Sequence, residues 1–378
     1  MTTTTSVDER AVLGDAVRRC LLRSAGPRPF LGDGDRAART DGDLWRTLAE
    51  QLGVSSLLVP EAAGGAGVGY AELAVVVEEL GRSLAPVPVL ATAGMASGLL
   101  LAEGGPVCAE LLTRIARDGT VATVVWPDVA GPSNVSKRPD VVADLRTGTV
   151  SGTASFVVSG AEADLLLVPA ATEAGVVVMA VDGNTTGMIR RSLTTLDLTR
   201  GMAEVAFDCA SARLVVGPEA SGAVLSVASD LALTVLSAEL VGVAQASLDA
   251  AVEWAKQRVQ FERPIGSFQA VKHQLVDLLM QVELARSAME EAVNAADRHL
   301  AEPGPQSARA LRAAASMSKA LCSDAAVTVS RESLHLFGGI GFTWEHDAHL
   351  RYRRALAGAL LLGDAAQHRV RLAAAVGV

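Results

Sequence analysis

Aromatic side chains are scarce: Phe, Trp and Tyr supply 3% of the 378 residues, although half the chain is hydrophobic. Ala, Leu and Val therefore carry most of the burial, which favours long, closely packed helices. Cysteine is also sparse. Cys20, Cys108, Cys209 and Cys322 are scattered singly, with no CxxC pair and no Cys/His cluster. This points away from a metal site and fits buried free thiols in a reducing cytoplasm. Positive charge is in deficit, and a net charge of −9 argues against general binding to nucleic acid or an anionic membrane. A local basic pocket for an acidic cofactor is still allowed. The start, MTTTTSVDER, lacks an apolar signal core and carries acids early. The apolar patch Val87–Ala102 is broken by Pro88 and followed by Glu103, so no membrane span is expected and the chain reads as cytoplasmic. No internal repeat is present.

The residue pattern changes period twice. Up to about Gly119 it is helical, with amphipathic stretches at Arg10–Ser24, Asp43–Leu52 and Tyr70–Ser83. The Gly-rich stretch Ala62–Gly67 matches neither a P-loop nor a dinucleotide-binding turn. From Thr120 to about Ser221, short β-rich runs (Val121–Trp126, Val150–Val158, Leu165–Val168, Gly175–Val181, Met188–Ile189, Met202–Phe207) are punctuated by Gly, Asp, Asn and Pro. Strands this dense, without intervening helices, predict an antiparallel β domain. Beyond Val224 the pattern is helical again. Leu233, Leu236, Leu240, Ala244, Leu248, Val252 and Ala255 form one stripe, and later helices are expected over Ser267–His299, Ser307–Leu336, Asp347–Leu361 and Gly363–Ala375. The fold class is thus α+β in three units: helices over 1–119, an antiparallel β domain over 120–221, and a bundle like a four-helix bundle over 222–378.

The most specific stretch is Arg258–Asp277, RVQFERPIGSFQAVKHQLVD. Pro264 and Gly266 break the chain between two long helices, and Ser267 is placed to cap the second. Phe268, Val271, Leu275, Leu279 and Val282 predict its buried stripe. Arg258, Gln260, Phe261 and Gln269 set a cation, two amides and an aromatic ring at a helix end. That set suits an anionic, aromatic ligand such as a dinucleotide, because arginine grips phosphate through two donors. A packed corner is the plainer alternative. A second element, LHLFGGIGFTWEHD (Leu334–Asp347), has three glycines where a helix stop needs one.

Together these two motifs resemble the signature of the acyl-CoA dehydrogenases. The run VPEAAGGAG…ELAVVVEELGRSLAPVP is similar to that family's N-terminal helical domain. The resemblance implies FAD-dependent α,β-dehydrogenation of an acyl-CoA thioester, with an electron-transfer flavoprotein as electron acceptor. It also implies dimers or tetramers built through the C-terminal bundle, and FAD bound across a subunit interface. On that resemblance Arg258, Gln260, Phe261, Gln269, Gly338, Gly339 and Gly341 line the cofactor. The chain departs from the pattern at Glu262, where the motif has Gly, and at His335, where Gln is common.

The reaction needs a carboxylate to remove the thioester α-proton, held where its pKa rises toward working pH. The family places it in a turn near the C-terminus, which aligns with Leu362, or early in the first bundle helix, which aligns with Ala232. Neither residue can abstract a proton. Two substitutes are Glu239, among apolar neighbours about two turns beyond Ala232, and Asp364. Glu239 also fits a buried acid paired with an arginine, and Asp364 fits an N-cap. The flavin-contacting strand motif is degenerate at Trp126–Ser133, while Ser159 in Phe156–Gly160 is a flavin-side candidate or simply a turn serine. His346 and His349 lack a third metal ligand. Arg351, Arg353 and Arg354 read as a solvated basic face or a contact for an acidic group. The departures resemble the actinobacterial branch whose members pair as unlike subunits. Three readings follow: a dehydrogenase acting alone or as one subunit of a heteromer with a homologous chain, a non-catalytic partner subunit, or a same-fold flavin oxidase or monooxygenase.

Overall fold

The computed structural model describes residues 7–32, 37–126 and 139–378. Its first part is helical: α1 (Val7–Arg23), α2 (Gly42–Glu50), α3 (Tyr70–Ser83), α4 (Ser97–Glu103) and α5 (Gly105–Asp118). A π-helical stretch over Leu90–Ala96 runs directly into α4. Asp41 caps α2 by accepting the Leu44 N–H at 2.9 Å. The cap of α3 comes from across the molecule. Asp297 accepts the Tyr70 N–H at 2.6 Å and the Ala71 N–H at 3.3 Å. Glycine is needed at position 69, since a Cβ there would lie 2.7 Å from the Asp297 carboxylate.

An eight-stranded sheet follows: β1 (Ala122–Val124), β2 (Val142–Asp144), β3 (Thr149–Val158), β4 (Leu165–Thr172), β5 (Gly175–Asp182), β6 (Met188–Leu193), β7 (Met202–Ser211) and β8 (Arg213–Val216). The order is β6-β7-β3-β2-β4-β5-β8, with β1 beside β4. Most pairings are antiparallel, as the dense strand pattern predicts, but β1 and β2 both lie parallel to β4. Strands β2 and β8 carry too few residues to show a period of two, and the sequence did not reveal them.

The third part is a bundle of α6 (Pro218–Gln257), α7 (Gln269–Ala301), α8 (Pro305–Phe337), α9 (Ala348–Leu360) and α10 (Ala365–Val376). At 40 residues α6 is long and apolar enough to cross a membrane, and it is buried along most of that length as the central helix of the bundle. It crosses α3 at very close range. A Cβ on Gly242 would overlap the Glu78 carbonyl, and one on Gly81 would overlap the Glu239 carbonyl. Two expectations for α7 are corrected. The tight turn Ile265–Ser267 consumes Ser267, so the helix starts after Phe268 without a side-chain cap. The buried stripe runs through Leu278, Val282, Ala285 and Met289, whereas Leu279 is 44% exposed. Val276, Met280 and Leu284 join Leu279 as exposed apolar residues on this helix.

Candidate active site

Helix α6 ends in a miniature hairpin, β9 (Val259–Gln260) against β10 (Arg263–Pro264), whose tip is Phe261–Glu262. Both tip residues are left-handed, at φ 51° and 64°, as a two-residue hairpin turn requires. The Phe261 side chain is 86% exposed. Arg263 stacks on Phe268, 4.0 Å from the ring centre, and fixes the base of the hairpin. The Arg258 guanidinium lies over Trp254 at 5.8 Å. Trp254 also packs on Phe337 at 5.6 Å and donates its indole N–H to the Leu336 carbonyl at 3.1 Å. Through this one ring the end of α6 meets the end of α8, so the elbow and the glycine loop lie side by side. Sequence reasoning did not single out Trp254, although it stands one helical turn before Arg258.

The glycine loop forms a 3-10 turn over Gly338–Phe342. Gly338 has φ 64°, and a Cβ at Gly338 or Gly339 would meet nothing within 4 Å. Gly341 is different: its backbone packs on Leu334 and Phe337, with 3.0 Å available to a Cβ. Two of the three glycines therefore border open space, and the third is a packing requirement. Gln260 turns its amide back to the Val259 carbonyl at 2.9 Å, and Gln269 is exposed at the start of α7. An uncovered cation, two amides and a glycine edge without side chains form a donor set that fits the phosphate end of a dinucleotide. Everything in the set faces outward.

Among the described residues, an ion-pair cluster fills the space where α6 and α9 meet the β6–β7 connection. Glu239 of α6 is buried and bonded to Arg200, with Arg354 of α9 at 3.7 Å. Asp197 faces the same arginines, 3.3 Å from Arg354 Nε and 3.6 Å from Arg200 Nε, and accepts two bonds from Thr199. Burial alone would push the Asp197 carboxyl up; Arg354, Arg200 and Thr199 outweigh it and hold the group below the usual carboxylate range. Burial draws the Arg200 pKa down despite Glu239. Two guanidiniums and two carboxylates thus neutralise one another between the β6–β7 connection, α6 and α9. About 20 Å³ is left beside them, lined by Pro88, Leu90, Val158, Ser159 and Gly201. Ser159, at φ 52°, engages through its backbone, with its N–H donating to the Gly201 carbonyl at 3.0 Å. Arg354, read as part of a solvated basic face or as a contact for an acidic group, is buried against Asp197 and Glu239, and Arg353 turns to the Leu196 carbonyl at 3.3 Å. The degenerate motif Trp126–Ser133 lies, apart from Trp126, outside the described residues.

Both positions where the family carries its base are apolar and buried. Ala232 is inside α6, and Leu362 is 1% exposed in the α9–α10 turn with φ 60°. That turn is held from behind. Lys319 Nζ donates to the Ala359 and Gly363 carbonyls, both at 2.9 Å, and His368 Nε2 pairs with the Leu362 carbonyl at 2.9 Å. Burial pushes Lys319 down to about 7. Burial, then the neighbouring Lys319 charge, pushes His368 down to about 4. Asp364 caps α10, accepting the Gln367 N–H at 2.8 Å while the Gln367 amide accepts the Asp364 N–H at 2.9 Å. His346 packs on Phe337 at 4.2 Å and His349 meets Trp344 edge-on at 4.8 Å.

Comparison with known proteins agrees with this architecture. The family description "Acyl-CoA dehydrogenase, N-terminal domain" matches residues 8–116, and "Acyl-CoA dehydrogenase, C-terminal domain" matches residues 233–377. The chain is 35% identical to acyl-CoA dehydrogenase IpdE2 of Mycobacterium tuberculosis over 361 residues, covering 95% of this chain and 94% of that one. It is 29% identical to a Tcur3481-Tcur3483 steroid ACAD variant, with a TM-score of 0.82 over 98% of each chain. It is 27% identical to a chain of the ChsE4-ChsE5 complex from Mycobacterium tuberculosis, with a TM-score of 0.82 over 99% of this chain and 98% of that one. The three-part fold, the elbow, the glycine loop and these matches lead to one conclusion: the chain belongs to the acyl-CoA dehydrogenase family, flavoprotein oxidoreductases that act on acyl-CoA thioesters.

Proposed function

We propose that this chain serves as one subunit of a heteromeric acyl-CoA dehydrogenase, completing an FAD site with a homologous subunit that supplies the base and the acyl pocket. One contrast carries the reading: among the described residues Glu239 is locked into an ion-pair cluster with about 20 Å³ beside it, while the phosphate-type donors face outward uncovered. Neither Glu239 nor Asp364 acts as base in this arrangement. Glu239 is held by two guanidiniums, and Asp364 spends its oxygen on the first turn of α10. Arg258 and Gln269 would hold the phosphates, and Gly338 and Gly339 would leave room for a flat ligand beside the backbone. FAD, when bound, supplies the acceptor for the hydride leaving the thioester β-carbon. An electron-transfer flavoprotein then takes the electrons. Similarity to a steroid ACAD and to the ChsE4-ChsE5 complex supports a two-chain enzyme with a bulky, ring-bearing acyl group.

The test is to express the chain alone and with a homologous acyl-CoA dehydrogenase subunit, then to measure bound flavin and its bleaching by a panel of acyl-CoAs. The chain alone should hold little flavin and show no bleaching, and the pair should do both. Stoichiometric flavin that is reduced by acyl-CoA in the chain alone would overturn the proposal.

A further inference from the structure

The glycine loop is held at its far end by a residue from the other end of the chain. Arg28 sits in a short 3-10 turn, Arg28–Phe30, just after α1, with Pro27 before it and Pro29 inside it. The prolines restrict the backbone of this segment. The segment is also tied down on both sides, with the Gly32 N–H donating to the Leu198 carbonyl at 3.1 Å and the Arg39 N–H to the Phe30 carbonyl at 2.9 Å. From this fixed base the Arg28 guanidinium donates to the Trp344 carbonyl at 2.7 Å and pairs with Asp347 at 2.6 Å.

Asp347 stands at the N-cap of α9, where an aspartate ordinarily accepts a first-turn N–H. It makes no such bond, and its carboxylate is turned to Arg28 instead. The near end of the loop is fixed by Phe337, which closes α8 and packs against Trp254, while His346 from the far end folds back on Phe337 and Gly341 packs on Leu334 and Phe337. Gly338 and Gly339, just before the packed Gly341, and Phe342, just after it, are exposed. A loop clamped at both ends and packed at Gly341, with bare glycines at 338 and 339, has the form of a presenting element.

We infer that Arg28 is a positioning residue for the FAD-binding glycine loop, acting through Trp344 and Asp347 without touching the ligand. The inference rests on the heteromeric reading for its functional half and on geometry alone for its structural half. Neither Arg28 nor Asp347 takes part in the Arg200, Glu239, Arg354 and Asp197 ion pairs, so their substitution leaves those pairs with all their members.

The experiment uses the full chain carrying Arg28→Met, with Arg28→Lys and Asp347→Asn as companions. Hydrogen exchange of the chain alone reads the loop directly. Amides in 338–347 should exchange about three- to tenfold faster in R28M, with the rest of the chain unchanged. R28K, which keeps the charge but not the fork, should recover part of the protection. In the co-expressed complex, flavin should dissociate about three- to tenfold faster at an unchanged melting temperature, a split that general destabilisation would not give. Wild-type exchange rates in R28M would overturn the strut. A loosened loop with undiminished flavin retention would overturn its role in cofactor binding. Failure of the wild-type pair to hold flavin would count against the proposed function and leave the exchange result to judge the strut.

Discussion

His368 shows how one buried ring shapes the response to acid. Its Nε2–H points at the Leu362 carbonyl, while Nδ1 is buried without a partner. Protonation would add a charge and a donor with no acceptor in reach, which is why the folded ring titrates near 4 and not near 6.5. The unfolded chain therefore takes up its proton first. The ring's contribution is complete above pH 6.5 and is lost as the pH falls toward 4, amounting to about 3 kcal/mol. Lys319 acts in the same sense at higher pH, with stability rising from about 7 toward 10.5. Asp230 and Asp297, both raised by burial, oppose it from 3.8 upward. A comparison with His368→Asn cancels those shared terms, and the variant's melting temperature should fall less between pH 6.5 and 5. Parallel curves would contradict the assignment. At this scale the sequence was legible only where partners are close in the chain. Asp364 and Gln367 form a capping box that can be read from their spacing. Glu239 has its partners at Arg200 and Arg354, and no local pattern announces that pairing.

Among the elements, the crossing of α3 and α6 depends on two glycines that look unremarkable in the sequence. Gly242→Ala should drive the added methyl into the Glu78 carbonyl and push the helices apart, straining the nearby Glu78–Arg286 and Arg82–Asp249 pairs, both 2.6 Å. The expected loss is about 1–3 kcal/mol, seen as a lower urea midpoint at unchanged slope. Gly222 lies on the same helix with nothing within 4 Å of an added Cβ, so Gly222→Ala should instead stabilise by up to about 1 kcal/mol. Equal effects at the two sites would remove the packing argument. The long helices themselves were easy to anticipate, because Leu and Ala recur at helical spacing and Pro303-Gly304-Pro305 separates α7 from α8. The orientation of α7 was not. Apolar residues at helical spacing look the same whether they meet the chain's own core or face outward, so Leu279 was assigned to the wrong side.

For the whole molecule, an ion-pair network spans the sheet and the bundle alongside their shared apolar core. Glu239→Leu leaves Arg200 and Arg354 sharing Asp197 alone, and should cost about 3–5 kcal/mol by denaturation. Adding Arg200→Met should recover much of that loss, since Asp197 and Arg354, 3.3 Å apart, then remain as a balanced pair. Additive losses would show that the network is not a closed unit. In the proposed complex, Glu239→Gln in this chain should affect stability before it affects the chemistry of the partner. The outward apolar face of α7, with Val276, Met280 and Leu284, reaches beyond structure into supply. In the proposed complex, a chain made in excess of its partner would carry that face into the cell exposed, as a target for aggregation and for chaperones and proteases. The amount of active enzyme in that complex would be set by the scarcer of two subunits, and balanced synthesis would become part of how the protein works.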